Sequence, residues 1–234
     1  MPTALITGAN RGLGLEFVRQ YLADGWNVIA TCRDPASADE LNSLSNAGEL
    51  VVQKLDVTSG AAIAELAAQV HSPLDMLLNN AGVIGPVPVA KHVHKQHFGS
   101  IDYDLWTNVL ETNTFAPVRL AEALIEQIEA SKQKKIITLS STVGSIVERD
   151  TPAIAYATSK TALNKAMMLL ATELRSRGII VGLICPGYVK TRMDFGTADV
   201  EIPDSIRGVR SLIDNYTLDD SGTFRRYNGD TISW

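Results

Sequence analysis

The sequence predicts an α/β fold, one doubly wound domain over residues 1–234 with a mostly parallel sheet and helices on both faces. Three observations carry that expectation. Short apolar runs recur at Ala4 to Ile6, Val28 to Thr31, Leu50 to Leu55, Met76 to Leu78, Ile136 to Leu139 and Ile179 to Ile184. Runs without polar alternation suit strands covered on both faces. Segments of helical length and period separate them, and regular alternation of strand and helix is the mark of parallel crossover units. No linker rich in Pro, Gly or Ser divides the chain, so it reads as one domain.

Composition narrows the function classes. With 45% hydrophobic and 20% charged residues, disorder and fibrous architecture are excluded. The balance of 21 Lys+Arg against 26 Asp+Glu offers no basic footprint for nucleic acid or an anionic membrane, so a small-molecule ligand is expected. Cys32 and Cys185 are too few for a disulfide framework and read as buried free thiols in a reducing compartment. No basic segment precedes the first apolar run and no apolar stretch reaches membrane-spanning length; a soluble, cytoplasmic protein is expected.

Taken in order, the first strand runs into Thr7-Gly8-Ala9-Asn10-Arg11-Gly12-Leu13-Gly14 and then a helical pattern through Phe17, Val18, Tyr21 and Leu22. Strand, glycine turn and helix in that order make a Rossmann-type dinucleotide site: glycines let the backbone approach a pyrophosphate, and free N–H groups at the helix start attract it. The second strand ends Thr31-Cys32-Arg33-Asp34. An acid at this strand end would hold the 2′-hydroxyl of NAD, and an arginine the 2′-phosphate of NADP. Cys32 occupies the acid's position, Arg33 follows, and Arg11 is a second cation, so NADP(H) is the expected cofactor.

Further along, Trp106, Val109, Leu110, Asn113, Ala116 and Leu120 form a buried helical stripe that Asn113 interrupts. Pro117, four residues on, cannot donate to the Asn113 carbonyl, which predicts a kink there. The longest helix is predicted over Pro152 to Arg177, ended by Gly178, with Leu163, Ala166, Met167, Leu170, Ala171 and Leu174 facing the core. That stripe, extended backwards, reaches Lys160 and Tyr156, near the carboxyl ends of the strands. At i and i+4 the ammonium shares a face with the phenol and is expected to lower its pKa from about 10 toward working pH. His92, His94 and His97 fall in Gly85 to Gly99, read as an irregular loop; it lacks a cysteine or carboxylate to complete a ligand set, so no metal is expected.

These motifs together resemble the short-chain dehydrogenase/reductase family over nearly the whole chain. The glycine loop matches the family's first motif, and Leu55-Asp56-Val57 resembles its adenine-contacting turn. Asn79-Asn80-Ala81-Gly82 is similar to the motif after its fourth strand, and Tyr156-Ala157-Thr158-Ser159-Lys160 to its Y-x-x-x-K. The resemblance implies Ser141, Tyr156, Lys160 and Asn113 as catalytic residues. Tyr156 would protonate the substrate oxygen as hydride arrives, Ser141 would hydrogen-bond that oxygen, and Lys160 would also hold the nicotinamide ribose. The main chain at Asn113 would hold a proton-relaying water. Cofactor contacts are implied for Gly8, Asn10, Arg11, Gly12, Leu13, Gly14, Arg33, Asp56, Val57, Asn79, Ala81, Gly82, Pro186, Gly187, Val189 and Thr191, besides Tyr156 and Lys160.

The ending, with an aromatic strand near Phe224, a turn at Asn228-Gly229 and a final Trp234, resembles the small carbonyl-reductase-like branch that includes C-factor and sniffer proteins. Trp234 is expected to bury its ring on the last strand. Met193 to Val200, within a substrate segment of about 192–213, is expected to fold over substrate as a lid. Ser141 to Val147, Tyr188, the loop Val83 to Phe98 and the chain after Arg192 would form the pocket. The expected activity is NADPH-dependent reduction of an aldehyde or ketone, reversible as an alcohol dehydrogenase. The alternative is an NADP(H)-binding sensor without turnover, which would need the glycine loop and Arg33 but not Ser141, Tyr156, Lys160 and Asn113 together. A homodimer through the helices carrying Asn113 and Tyr156 is a further implication of the resemblance.

Overall fold

Strand β1 (Thr3–Thr7) lies at the centre of the molecule because all five of its residues are buried, as a strand with neighbours on both edges and both faces requires. In the computed structural model, which describes residues 1–46, 49–148 and 151–234, the chain continues through α1 (Gly12–Ala23), β2 (Asn27–Cys32), α2 (Asp39–Asn42), β3 (Leu50–Lys54), α3 (Gly60–Gln69) and β4 (Met76–Asn79). Then follow α4 (Val89–His92), α5 (Tyr103–Leu110), α6 (Ala116–Ala123), α7 (Ile125–Glu129), β5 (Lys135–Leu139), α8 (Ile154–Leu174), β6 (Ile180–Cys185), α9 (Ile202–Asn215) and β7 (Phe224–Arg226). The seven strands form one sheet in the order β3-β2-β1-β4-β5-β6-β7. Every pairing is parallel, in registers such as Thr7 with Thr31 and Ile6 with Leu78.

Side chains of β1 alternate between two cores. Ala4 and Ile6 pack with Phe17, Val18 and Tyr21 of α1 and Ile206 and Val209 of α9. Leu5 faces the other way, into a cluster with Ile63 and Leu66 of α3, Leu120 of α6, and Leu163 and Met167 of α8. The strand order reverses between β1 and β4, and open α/β sheets bind ligands outside the strand ends at such a switch point.

Several local expectations are refined. Residues Gly85 to Gly99 are not wholly irregular: α4 begins after Pro88, whose extended backbone suits the N-cap, and a 3-10 turn, Val93–Gln96, follows. The kink at Asn113 takes the form of one π-helical stretch, Glu111–Phe115, with the Ala116 N–H donating to the Glu111 carbonyl five residues back. Helix α8 ends at Leu174, followed by a 3-10 turn to Arg177 and Gly178 at φ 72°. The chain end turns back at Asn228-Gly229 and pairs Thr231 with Arg225. Trp234 is less buried than expected: its ring lies 5.7 Å from that of Phe224 but stays 45% exposed. Among the described residues no helix is long and apolar enough to cross a membrane.

Gly182 shows how tightly the sheet accepts its cover. A Cβ there would stand 2.5 Å from Tyr216 Cε2 and 2.9 Å from Ile137 Cδ1. Gly182→Ala is therefore expected to destabilise the fold by about 1–3 kcal/mol through overpacking. Urea unfolding of the variant checks this; an unchanged midpoint would show that Tyr216 swings aside freely.

Candidate active site

The glycine turn is shaped by what surrounds it. Gly8 and Gly12 have φ of 66° and 56°, a region that L side chains rarely adopt. Gly14 is demanded by contact instead, since a Cβ would fall 2.3 Å from the Gly8 carbonyl oxygen and 2.6 Å from Asn80 Nδ2. Asn80 braces the turn, donating from Nδ2 to the carbonyls of Thr7 (2.7 Å) and Gly8 (3.2 Å). Thr7 Oγ1 in return accepts the N–H groups of Asn80 and Ala81, both at 3.0 Å. The N-cap of α1 is Arg11, whose side chain makes no capping bond, so among the described residues the first-turn N–H groups have no side-chain cap.

Cations gather beside that turn. Arg11 and Arg33 are exposed, and neither has an ion pair or hydrogen bond to its guanidinium among the described residues. Partial burial lowers the Arg11 pKa, and the positive charges of Arg192 and Arg33 lower it further. Asp34 does not offset them closely: its carboxylate accepts from Ser37 Oγ at 2.8 Å. Asp56 accepts from the Thr58 N–H at 3.0 Å and hydroxyl at 2.7 Å, and these bonds, aided by Arg33, hold its carboxyl below the usual range. Phosphate groups fit a turn lined with free N–H groups and guanidiniums.

Across the switch point, α8 and the chain after β5 bring together the side chains expected to be catalytic. Tyr156 and Ser141 both line a cleft of about 360 Å³ that also includes Leu13, Ile84, Pro186, Gly187, Val189 and Thr191. Ser141 caps the 3-10 turn Thr142–Gly144 and shares the cleft with Tyr156, whose pKa it acts to lower. Lys160 is buried; its Nζ donates to the Leu139 carbonyl at 2.8 Å and lies 5.9 Å from the Tyr156 ring centroid. Burial depresses the Lys160 pKa to about 8. The expected lowering of the Tyr156 pKa is not what the protein shows: burial pushes it up to about 12, only partly opposed by the Ser141 hydrogen bond. Desolvation of the phenolate outweighs the opposing contribution of Ser141.

Asn113 joins the two halves. Its side chain is 1% exposed and fully engaged, with Oδ1 accepting from the Val83 N–H at 2.8 Å. Nδ2 donates to the Val83 carbonyl (2.8 Å) and to Ser159 Oγ (3.0 Å). Ser159 Oγ donates to the Tyr156 carbonyl at 2.7 Å, so the amide reaches Tyr156 through one hydroxyl.

Not every expected residue faces the cleft. Asn79 is 3% exposed and lies within the sheet, donating to Thr138 Oγ1 at 3.3 Å; its neighbour Asn80 does the bracing. Ile146 and Val147, expected in the pocket wall, are 80% and 72% exposed, and Phe98 is 94% exposed. Met193, Asp194, Phe195 and Thr197 do wall the cleft. Among the described residues no three or more His, Cys, Asp or Glu side chains come together as a group that could hold a metal ion.

Sequence reasoning passed over Asn164 and Gly144. Asn164 Oδ1 accepts from Ser140 Oγ at 2.5 Å and Nδ2 donates to the Gly144 carbonyl at 3.2 Å, fastening the Ser141 turn to α8. A Cβ at Gly144 would meet Lys160 at 2.9 Å. The signal was present, since Tyr156, Lys160 and Asn164 recur at steps of four on one helix face.

Comparison with known proteins identifies the family and the fold. The family model for short chain dehydrogenases matches residues 2–200. The C-signal protein of Myxococcus xanthus is 32% identical over 163 residues, covering 69% of this chain and 93% of that protein. Among solved structures, the NADPH-bound carbonyl reductase from chicken fatty liver superposes with a TM-score of 0.90 at 33% identity, covering 100% of this chain and 99% of that one. The carbonyl reductase Sniffer of D. melanogaster matches with a TM-score of 0.90 at 29% identity over 100% of both chains. The chain belongs to the short-chain dehydrogenase family.

Proposed function

We propose that the protein is an NADPH-dependent oxidoreductase that reduces an aldehyde or ketone to an alcohol, reversibly, with Tyr156 as the proton donor. The observation that carries this reading is the convergence of Tyr156 and Ser141 on one cleft, with Lys160 behind the phenol. The chicken carbonyl reductase, solved with NADPH, supports both cofactor and reaction.

NADPH would lie along the switch point. Gly8, Asn10, Arg11, Gly12, Leu13 and Gly14 would hold its pyrophosphate, Arg33 and Arg11 its 2′-phosphate, and Asp56 and Val57 its adenine. Ala81, Gly82, Tyr156 and Lys160 would contact the nicotinamide-side ribose, with Asn79 supporting from the sheet, and Pro186, Gly187, Val189 and Thr191 would hold the carboxamide end. When bound, it supplies the hydride for the carbonyl carbon. The chain's own part is the proton. A phenol with a pKa of about 12 is protonated throughout the neutral range, so Tyr156 is ready to donate to the substrate oxygen. Ser141 hydrogen-bonds the same oxygen as its charge develops. Lys160, mostly cationic below its pKa of about 8, stabilises the phenolate left behind. Residues 193–200 cover the substrate as a lid.

Three outcomes test the reading by following loss of the reduced nicotinamide absorbance with a panel of aldehydes, ketones and quinones. Tyr156→Phe is expected to lower kcat by about 100-fold or more with a much smaller loss of NADPH affinity, because Lys160 keeps its own contact to the ribose; undiminished turnover would refute its role. Arg33→Ala is expected to weaken NADPH by at least about tenfold with little change for NADH; equal losses would show that Arg33 does not read the phosphate. The reductive kcat/KM is expected to be level below pH 8 and to fall above it, because Lys160 loses its charge as pH rises through about 8. A profile flat to pH 10 would remove Lys160 from the proton step.

A further inference from the structure

The loop after β4 carries one buried polar side chain that the reaction has not used. Gln96, at the end of the Val93–Gln96 turn, is 2% exposed. Its Nε2 donates to the Ile84 carbonyl at 2.7 Å, and its Oε1 accepts the backbone N–H of Tyr156 at 3.1 Å.

That second bond answers a need of α8. Tyr156 is the third residue of the helix, and N–H groups of a first turn have no partner within it. The N-cap, Ala153, makes no side-chain capping bond, and the first helical bond runs from the Ala157 N–H to the Ala153 carbonyl at 2.9 Å. Gln96 therefore supplies from another element the acceptor that a Ser or Asp at the N-cap would give. The other end of its amide holds Ile84, which walls the cleft and packs with Val89, Ala153 and Tyr156. Gln96 is itself fixed, because the Asp102 N–H donates to the Lys95 carbonyl at 2.8 Å while Asp102 caps α5 through the Leu105 N–H at 3.0 Å.

We propose that Gln96 is a positioning residue for the reaction, holding the backbone of Tyr156 and the Ile84 wall of the substrate cleft in one fixed relation. The proposal rests on the reductase reading for its kinetic consequence, whereas its structural part does not. Gln96 touches no reacting atom; it acts through the placement of the phenol, and a displacement of about 1 Å is enough to cost up to about 100-fold in rate.

Two variants separate its two bonds. Gln96→Met keeps the length and loses both. Gln96→Glu keeps an acceptor for the Tyr156 N–H, at a helix start where negative charge is favoured, and loses the donor to Ile84 once ionised. Q96M is expected to lower kcat by about tenfold or more, and Q96E to keep kcat within about twofold while raising KM about fivefold. The KM rise in Q96E, relative to the unsubstituted protein, is expected to grow with pH as the new carboxyl ionises. Hydrogen exchange of the Tyr156 amide in the full chain without substrate is expected to quicken in Q96M and stay slow in Q96E.

A folded Q96M with a protected Tyr156 amide, or with an unprotected amide and unchanged kcat, would overturn the proposal. Should Q96M fail to fold, Q96E decides alone: raised KM with preserved kcat supports it, and unchanged or equally reduced parameters overturn it. Should the unsubstituted protein reduce no carbonyl compound, the reductase reading fails, and the exchange pattern still decides whether Gln96 holds Tyr156.

Discussion

A single buried amide ties the two halves of the site together. Asn113 satisfies both its oxygen and its nitrogen on the backbone of Val83 and spends its remaining donor on Ser159, whose hydroxyl bonds the Tyr156 carbonyl. Leaving such a group unpaired in the interior costs about 1–3 kcal/mol, so the loop after β4 cannot drift from α8 without loss of stability. The same loop begins with Asn80, which holds the glycine turn, and a Cβ at Gly82 would come within 3.3 Å of Asn113 Oδ1. From Gly8 through Asn80, Val83, Asn113 and Ser159 to Tyr156 the site is one connected frame. Asn113 lies within the π-helical stretch at 111–115.

The parts of this protein legible in its sequence are those set by local pattern. Parallel strands announce themselves because a run such as Ile136 to Leu139 has no polar face, and the order of strand, glycine turn and helix needs no long-range information. Tyr156 and Lys160 are legible together because helical spacing puts them on one face. What escaped reading depends on contacts distant in sequence. Gln96 looks like any polar loop residue until α8 arrives beside it 60 residues later. Gly144 and Gly182 look like flexible positions, and both are required by what packs on them. The pKa of Tyr156 is the clearest case: spacing reports the nearby ammonium, whereas desolvation, the larger effect, is a property of the assembled interior.

The guanidiniums near the glycine turn follow a different logic from the buried frame. Arg11 feels the charges of Arg33 and Arg192, and no carboxylate within ion-pair distance neutralises any of the three among the described residues. Like charges left unpaired beside a helix start oppose folding slightly, so packing does not account for their grouping. A bound polyanion reverses the sign of that interaction. Ligand binding to the folded chain alone then adds stability by mass action, and the cluster is stabilising only in the complex.

Burial acts on Tyr156 and Lys160 in one sense, toward the neutral form of each, and this sets which proton the resting site carries. Oxidation of an alcohol needs a base, which means forming a phenolate against desolvation and a pKa of about 12. Reduction needs an acid, and the acid is already protonated wherever the protein is folded at neutral pH. Lys160 would favour the phenolate only while it keeps its own charge, below about pH 8. On the chain's own electrostatics the resting tyrosine carries the proton that the proposed reduction would use.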